Sequence, residues 1–376
     1  MQNLKSQISN LKSQISIIIA VYNRSDELTE LLESLEKQTD KNFELIIVDD
    51  GSTENLKIVT EKYQNKLNVN YFYKENSGPG LTRNFGTQKA TGNYFLFLDS
   101  DCIAPSNYIS NIKKELSENY SDAFGGSDAA HESFNPMQKA ISYSMTSVLT
   151  TGGIRGKEKA ITKFQPRSFN MGISKVAFST VGGFSEMRIG EDPDLSLTLW
   201  ENGFSTRFFP SVQVFHKRRT SLRKFAKQVY QFGIARPILN QRHPKYAKIV
   251  FWFPSLFLVG SVFSFLFLVF SFWLKLDANM MIYEYESCLM VDAVSKYENI
   301  YFYASFLIIP FYLLTFYFLL IFFHSTIKNK NLKIGFLSII TSAIQLYCYG
   351  WGFLKSFVKL NIFRMNPKKA FPSHFY

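Results

Sequence analysis

The spacing of apolar and polar residues changes character near residue 248. Before that point short apolar runs alternate with amphipathic segments. The stretch "SIIIAVYNR" (16–24) is a β-branched run ending in turn-forming residues, which predicts a buried strand. In "DELTELLESLEKQ" (26–38), Leu28, Leu31, Leu32 and Leu35 recur at helical spacing. "FELIIVDDGS" (43–52) and "NVNYFYKEN" (68–76) read as further strands, "GLTRNFGTQKAT" (80–91) as a helix, and "NYFLFLDSD" (93–101) as a fourth strand. This βαβαβαβ order predicts an α/β fold, a sheet with helices on both faces whose ligands sit at the carboxyl ends of the strands. "RFFPSVQVFH" adds a strand ending at His216. The direct repeat "LKSQISN" (4–10) and "LKSQISI" (11–17) predicts a frayed tail over 1–15.

Beyond residue 248 the runs lengthen. "IVFWFPSLFLVGSVFSFLFLVFSFWL" (249–274) carries no charge and is long enough to cross a bilayer, as is 301–323, where Pro310 predicts a kink. The linker between them is acidic, with Asp277, Glu284, Glu286, Asp292 and Glu298, and is expected to face away from the cytoplasm. A third apolar segment, 334–354, is more polar. If it crossed, Lys355, Lys359, Arg364, Lys368 and Lys369 would lie outside, against the positive-inside rule; a re-entrant or interfacial helix would keep them inside. Its crossing stays open. The expected organisation is a soluble domain over 16–216, a juxtamembrane segment over 217–248 and a membrane region over 249–376.

Charge sharpens this picture. The net charge is +12, and ten cations with no acid lie between His216 and Lys248. A basic segment next to a hydrophobic span suits anionic headgroups and a cytoplasmic face. No nucleic-acid module accompanies it, so nucleic-acid binding is not expected. Cys102, Cys288 and Cys348 have neither metal-site nor disulfide spacing, which suits a reducing compartment, and Cys102 reads as a small buried residue. The polar start of the chain argues against a cleaved signal peptide.

Chemistry enters where the apolar strands stop. Asp49, Asp50, Asp99 and Asp101 would converge on one sheet edge, where uncompensated carboxylates repel. Mg²⁺ or Mn²⁺ with a diphosphate ligand would resolve that repulsion, because hard cations take carboxylate and phosphate oxygen.

Four ordered segments now carry a resemblance: "SIIIAVYNRSDEL", "ELIIVDDGSTE", "NSGPGLTRNFGTQKATGNYFLFLDSD", and "VGGFSE" followed by "GEDPDLSLTLWENGF". Over residues 16–216 the chain resembles the family 2 glycosyltransferases of the GT-A fold. The pattern N-x-G-x-x-x-A-R-N-x-G is met by Asn76, Gly78, Arg83, Asn84 and Gly86, with Thr82 in place of alanine. The resemblance implies that Tyr22 and Asp50 hold the nucleotide base and that Arg83 lies near base and phosphates. It gives Asp99 to the ribose and metal, and Asp101 to the metal directly. His216 could add an imidazole ligand or touch the donor pyrophosphate. Of the acidic pair, Asp192 is the expected general base and Glu191 its support or alternate. Asp192 before Pro193 is also a good helix cap, and both roles can hold together. Asn170 and Gly172 match a segment expected to bring backbone close to bound sugar.

The implied activity is a metal-dependent, inverting transfer from a nucleoside-diphosphate sugar, with UDP favoured by family frequency. A membrane anchor and basic collar suggest a lipid-linked saccharide acceptor in cell-surface glycan assembly, in a multi-pass plasma or inner membrane protein with its catalytic domain cytoplasmic. "QVYQF" (228–232) lacks the Arg-Trp of the Q-x-x-R-W motif of processive synthases, which favours single addition. A polyprenyl-phosphate transferase, a processive synthase and an inactive membrane scaffold are the alternatives. A nucleotidyltransferase would need a glycine-rich first loop, which "AVYNRS" is not.

Overall fold

The computed structural model describes residues 14–129, 134–151, 163–216, 221–286, 302 and 304–376. Its centre is a mixed sheet of β1 (Ile15–Val21), β2 (Phe43–Asp49), β3 (Val69–Tyr73), β4 (Tyr94–Asp99), β5 (Cys102–Ile103), β6 (Ala123–Ala129), β7 (Asn170–Ser174) and β8 (Thr206–His216). The strand order is β3-β2-β1-β4-β7-β6-β8-β5. β3, β2, β1 and β4 run parallel, whereas β7 is antiparallel to β4 and β6. The parallel half ends its strands at one edge, and the antiparallel half returns β8 beside the segment that follows β4.

Strand burial on both faces explains the continuous apolar runs. Ile15, Ile17, Ile19 and Val21 face α1 (Ser25–Glu36), whose Leu28, Leu31, Leu32 and Leu35 are fully buried in one cluster with them. After α2 (Leu56–Glu61), α3 (Pro79–Lys89) covers the other face, where Ile18, Ile46, Val48, Phe95 and Phe97 form a second cluster. α4 (Tyr108–Glu118) joins the first cluster; α5 (Pro136–Thr146) turns towards the apolar region; α6 (Lys175–Thr180) and α7 (Glu191–Glu201) join the second.

The basic segment forms α8 (Leu222–Arg242), which buries Phe225, Val229, Ile234, Ile238 and Leu239. Next come α9 (Phe253–Glu286), α10 (Ile309–Asn329) and α11 (Leu332–Phe357). Three segments, Ile249–Asp277, Ala304–Asn329 and Leu332–Ile362, are long and apolar enough to cross a membrane. α11 packs hardest on the rest of the protein. A methyl group built on Gly233 of α8 would fall on the Tyr349 carbonyl, and one on Gly352 of α11 would fall on the Tyr230 carbonyl, so the two backbones meet where only glycine fits. Ser356 Oγ donates to the Ile234 carbonyl (2.9 Å) and Thr341 Oγ1 to the Ala140 carbonyl of α5 (3.0 Å).

Several expectations change in detail. The chain breaks at Ile308, and Pro310 stands in the first turn of α10, where its missing N–H costs nothing, so it starts that helix. α9 runs on to Glu286, so Asp277, Glu284 and Glu286, expected in a linker, are helical. The tail over 1–13, Lys217–Arg219, Cys288, Asp292 and Glu298 lie outside the described residues. Cys102 is buried, as expected.

Residues 367–376 return to the soluble domain. Met187 pairs with Phe375, the Arg188 N–H donates to the His374 carbonyl (2.8 Å), and the Tyr376 N–H donates to the Glu186 carbonyl (3.1 Å). Ala370 and Phe371 share a buried cluster with Met187, Ile234, Ile238 and Leu239. This strap therefore ties the loop before α7 to α8.

Candidate active site

The polar edge gathers the four aspartates, and each has its own partners. Asp49, at the end of β2, turns inward: Tyr71 Oη donates to Oδ2 (2.7 Å) and the Ser52 N–H to Oδ1 (2.8 Å). Asp50 is buried and accepts from Lys74 Nζ (2.9 Å), the Ser77 N–H (2.8 Å) and the Gly78 N–H (2.7 Å). Those amides lead into α3, so Asp50 fixes the start of the helix that carries Arg83. Gly78 has a φ of +81°, a left-handed conformation that favours glycine. Asn76 donates to the Asp50 carbonyl (2.8 Å), and Asn84 bridges α3 to the backbone of Phe184 in both directions. These two asparagines of the motif hold loops together.

Asp99 ends β4 and pairs with Arg83 Nη2 at 2.7 Å. Arg24 Nη1 lies 2.6 Å from Asp101 Oδ2. Burial alone would lower the pKa of Arg24, but Asp101 outweighs it and the net shift is upward. The crowding of carboxylates is thus partly balanced by Arg24, Lys74 and Arg83. Only Arg83 of the three was singled out from sequence. Arg24 stands two residues after Tyr22, and its charge beside the first strand's motif was the available signal. Tyr22 is 48% exposed at the end of β1, free to offer a ring face.

Arg83 links the two acidic groups. It is almost fully buried, sits 5.4 Å over the Phe184 ring, and places Nη1 3.6 Å from Glu191 Oε1. Burial would depress its pKa; Asp99, Asp192 and Glu191 outweigh that and keep it firmly charged. Glu191 and Asp192 open α7, following Gly190 at φ +92°. The cap position belongs to Gly190, so Asp192 is not the helix cap that its place before Pro193 suggested. Its carboxylate accepts from the Ser168 N–H, while Oδ1 is buried with no hydrogen-bond partner among the described residues.

Burial pushes the Glu191 carboxyl up to about 8, with Asp192 adding to the rise and Arg83 opposing it. Burial also raises Asp192, opposed by Arg83 and by Arg167. Burial lowers the pKa of Arg167, and nearby Arg236 of α8 lowers it further, against the acid pair. Tyr349 of α11 is also close enough to act on Arg167. The acid pair therefore stands between Asp99 at the sheet edge and residues of α8 and α11. Arg167 and Arg236 carried no motif that sequence could flag.

His216 ends β8, and its backbone is in register with Cys102, one residue beyond Asp101. Its side chain lies outside what is described. Asp99 and Asp101 supply hard oxygen donors of the kind Mg²⁺ or Mn²⁺ takes, each paired here with an arginine; among the described residues no three His, Cys, Asp or Glu side chains are grouped to hold a metal ion. Asn170 and Gly172 are packed into the core. Asn170 is buried in β7, accepts from Tyr108 Oη (2.8 Å) and donates to the Val212 carbonyl (2.9 Å), and Gly172 faces the Phe124 ring. Both are core positions because a central strand needs its polar group satisfied and its neighbours close.

The α/β sheet thus carries acids at one edge and a buried acid pair beyond them, the arrangement that the resemblance to glycosyltransferases implies. Comparison with known proteins points the same way: residues 16–181 match the model of glycosyl transferase family 2. That match includes Tyr22, Asp50, Arg83, Asp99 and Asp101, and stops before Glu191, Asp192 and His216. An uncharacterized glycosyltransferase of Rickettsia felis is 41% identical over 107 residues, 28% of this chain and 18% of the relative. The poly(ribitol-phosphate) beta-N-acetylglucosaminyltransferase TarS of Staphylococcus aureus is 37% identical over 113 residues, 29% of this chain and 20% of TarS. The matched stretch thus spans about a fifth of these relatives. Among solved structures, S. aureus TarS 1–349 with UDP-GlcNAc aligns with a TM-score of 0.44 at 22% identity, covering 59% of this chain and 66% of that one. The mannosyltransferase PcManGT of Pyrobaculum calidifontis, in complex with GDP-Man and Mn2+, gives 0.48 at 16% identity, covering 61% and 65%.

Proposed function

We propose that this protein transfers one sugar, with inversion, from a nucleoside-diphosphate donor to a hydroxyl of a lipid-linked saccharide at a membrane surface. The observation that carries the reading is Arg83, a buried cation shared by Asp99 at the donor edge and by the acid pair that opens α7. Tyr22 and Asp50 take the nucleotide base, and Asp99 and Asp101 would hold Mg²⁺ or Mn²⁺, with His216 at the same sheet edge as a third candidate ligand. When bound, such a cation would supply positive charge to the departing diphosphate.

The chain's own residues do the rest. Asp192 Oδ1 accepts the proton of the acceptor hydroxyl as that oxygen bonds to the anomeric carbon. The bond from that carbon to the diphosphate oxygen breaks, and its electron pair leaves with the nucleoside diphosphate. Burial raises the pKa of Asp192, and a carboxylate so raised holds the proton better than an ordinary one, which is what a base needs. Glu191 shares the charge beside it.

The membrane side supports a lipid-linked acceptor, since Arg236 and Tyr349 reach the neighbourhood of the acid pair from α8 and α11. Three apolar segments lie between α8 and the strap, yet the strap packs on the same domain that α8 leaves. A chain that departs from one side and returns to it crosses an even number of times. Two crossings, by α9 and α10, with α11 lying along α8 at the interface, satisfy this rule and keep the basic residues after α11 on the cytoplasmic side.

The deciding measurement is thermal unfolding of detergent-purified protein with UDP or GDP, each with and without Mn²⁺, beside Asp101→Ala. Ligand at a hundred times its dissociation constant stabilises by about 2.7 kcal/mol, a shift of several degrees. A metal-dependent shift with one nucleotide, lost in the variant, is expected. No shift with either nucleotide, in folded protein, would discard the reading.

A further inference from the structure

The strap brings an aromatic ring into the crevice. Tyr376 lies against the start of α3: a methyl group built on Gly78 would fall on the hydroxyl-bearing edge of its ring, so the left-handed glycine also makes room for the tyrosine. The Tyr376 hydroxyl accepts from the Gly80 N–H, a helix-start amide with no intrahelical acceptor; burial raises the phenol's pKa, and nearby Glu191 adds to the rise. Glu191 itself closes over Gly80 from the other side, its Cβ 3.8 Å from where a Gly80 side chain would begin. One ring thus touches the segment that Asp50 anchors and borders the acid pair.

We propose that Tyr376 is a sugar-contacting residue, its ring forming the wall of the crevice on which the donor's pyranose packs. This rests on the reading of the crevice as a nucleotide-sugar site. Sugar rings present an apolar C–H face, and an aromatic side chain with its hydroxyl already engaged offers a flat, pre-oriented surface for it. Tyr376 as a residue is 37% exposed, so it is not sealed from a ligand in the crevice. The way it is held favours a fixed wall over a removable plug. Phe371 and His374 are buried, Lys368 Nζ lies 2.6 Å from Glu186, and the backbone of 374–376 is bonded to that of 186–188. A plug leaving at each turnover would have to break all of these.

The test compares binding of nucleotides with that of nucleotide sugars. For the full chain with Mn²⁺, dissociation constants are measured for UDP and GDP and for UDP-glucose, UDP-galactose, UDP-N-acetylglucosamine, UDP-glucuronate and GDP-mannose. Wild type is expected to bind one sugar-bearing donor more tightly than its bare nucleotide. Tyr376→Ala should weaken that donor by about fivefold to tenfold, the scale of an aromatic contact, and leave the nucleotide within about twofold. Tyr376→Phe, which keeps the ring and disturbs folding least, should retain most of the difference. Tighter nucleotide binding in Tyr376→Ala would mark the ring as a plug. Equal weakening of nucleotide and donor would mark a purely structural role, and an unchanged donor constant would remove the contact altogether. Each of these overturns the proposal, as does a wild type that gains nothing from any sugar. If wild type binds no nucleotide at all, it is the underlying reading of the crevice that fails.

Discussion

Replacing Arg83 by methionine tests the electrostatic core of the site. The substitution keeps much of the side-chain volume against Phe184 and removes the charge shared by Asp99 and Glu191. Breaking a buried ion pair on one side costs about 3–5 kcal/mol when the partner is left uncompensated. The Asp99 side chain is 34% exposed and can rehydrate, whereas that of Glu191 is 14% exposed and cannot, so the lower end, about 3 kcal/mol, applies. For a domain of this size each kcal/mol moves the melting temperature about 2–4 °C, giving a drop of about 6–12 °C. The drop should depend on pH in a set direction. Glu191 is already raised by burial, and a carboxyl raised on folding contributes stability below its unfolded pKa and loses it as pH rises through the folded one. Without Arg83 its folded pKa rises further, so at pH 6 the neutral carboxyl is tolerated and at pH 8.5 the deficit grows. Thermal unfolding followed at both values reads this out. A variant that melts within about 1 °C of wild type at pH 8.5, or whose deficit shrinks as pH rises, would refute the reasoning.

Three further outcomes follow from other contacts. His243 bonds Asp194 and Glu201 at 2.9 Å each; burial would lower its pKa, but these bonds outweigh it and raise it. Its contribution is therefore full below about pH 6.5 and lost as pH rises through the folded value, so His243→Gln should cost about 2 kcal/mol at pH 6 and much less at pH 8.5 in thermal unfolding. Gly352→Leu would drive a side chain onto the Tyr230 carbonyl and should cost about 2–3 kcal/mol, read as a lower melting temperature and faster proteolysis between α8 and α11. For the two-crossing arrangement, single cysteines at Ser373→Cys and Asp292→Cys should react with an impermeant maleimide from opposite sides of the membrane; labelling from one side would defeat it.

The strands of the head were legible because a buried parallel strand is an unbroken apolar run closed by turn residues, as in "FELIIVDDGS". Helix α1 was legible because its four leucines fall on one face. The counter-charges were not, since Arg24 meets Asp101 across 77 residues of sequence and no local spacing encodes that meeting. The core role of the Asn170 side chain, which serves Tyr108 and a carbonyl, was likewise not encoded by any local spacing. The strap was invisible for a related reason. "PKKAFPSHFY" has neither helical nor strand periodicity, and its structure comes from the surface on which it lies.

The acid pair is fixed from two directions, and that bears on how a membrane helix enters the chemistry. At the first turn of α7, Arg83 holds Glu191 and Asp192 in a region where burial works against their ionisation. Further along the same helix, Asp194 and Glu201 grip His243, the residue that closes α8, and Arg242 Nε adds a contact to Asp194 at 3.1 Å. α7 thus cannot turn or slide without breaking either its pairing to the donor edge or its pairing to the juxtamembrane helix. α8 is in turn locked to α11 by backbones that meet at glycine. The position of the acid pair is therefore set jointly by a strand end in the head and by helices packed beside the apolar region. On the proposed function, that joint control would keep the proton acceptor at a constant height above the membrane.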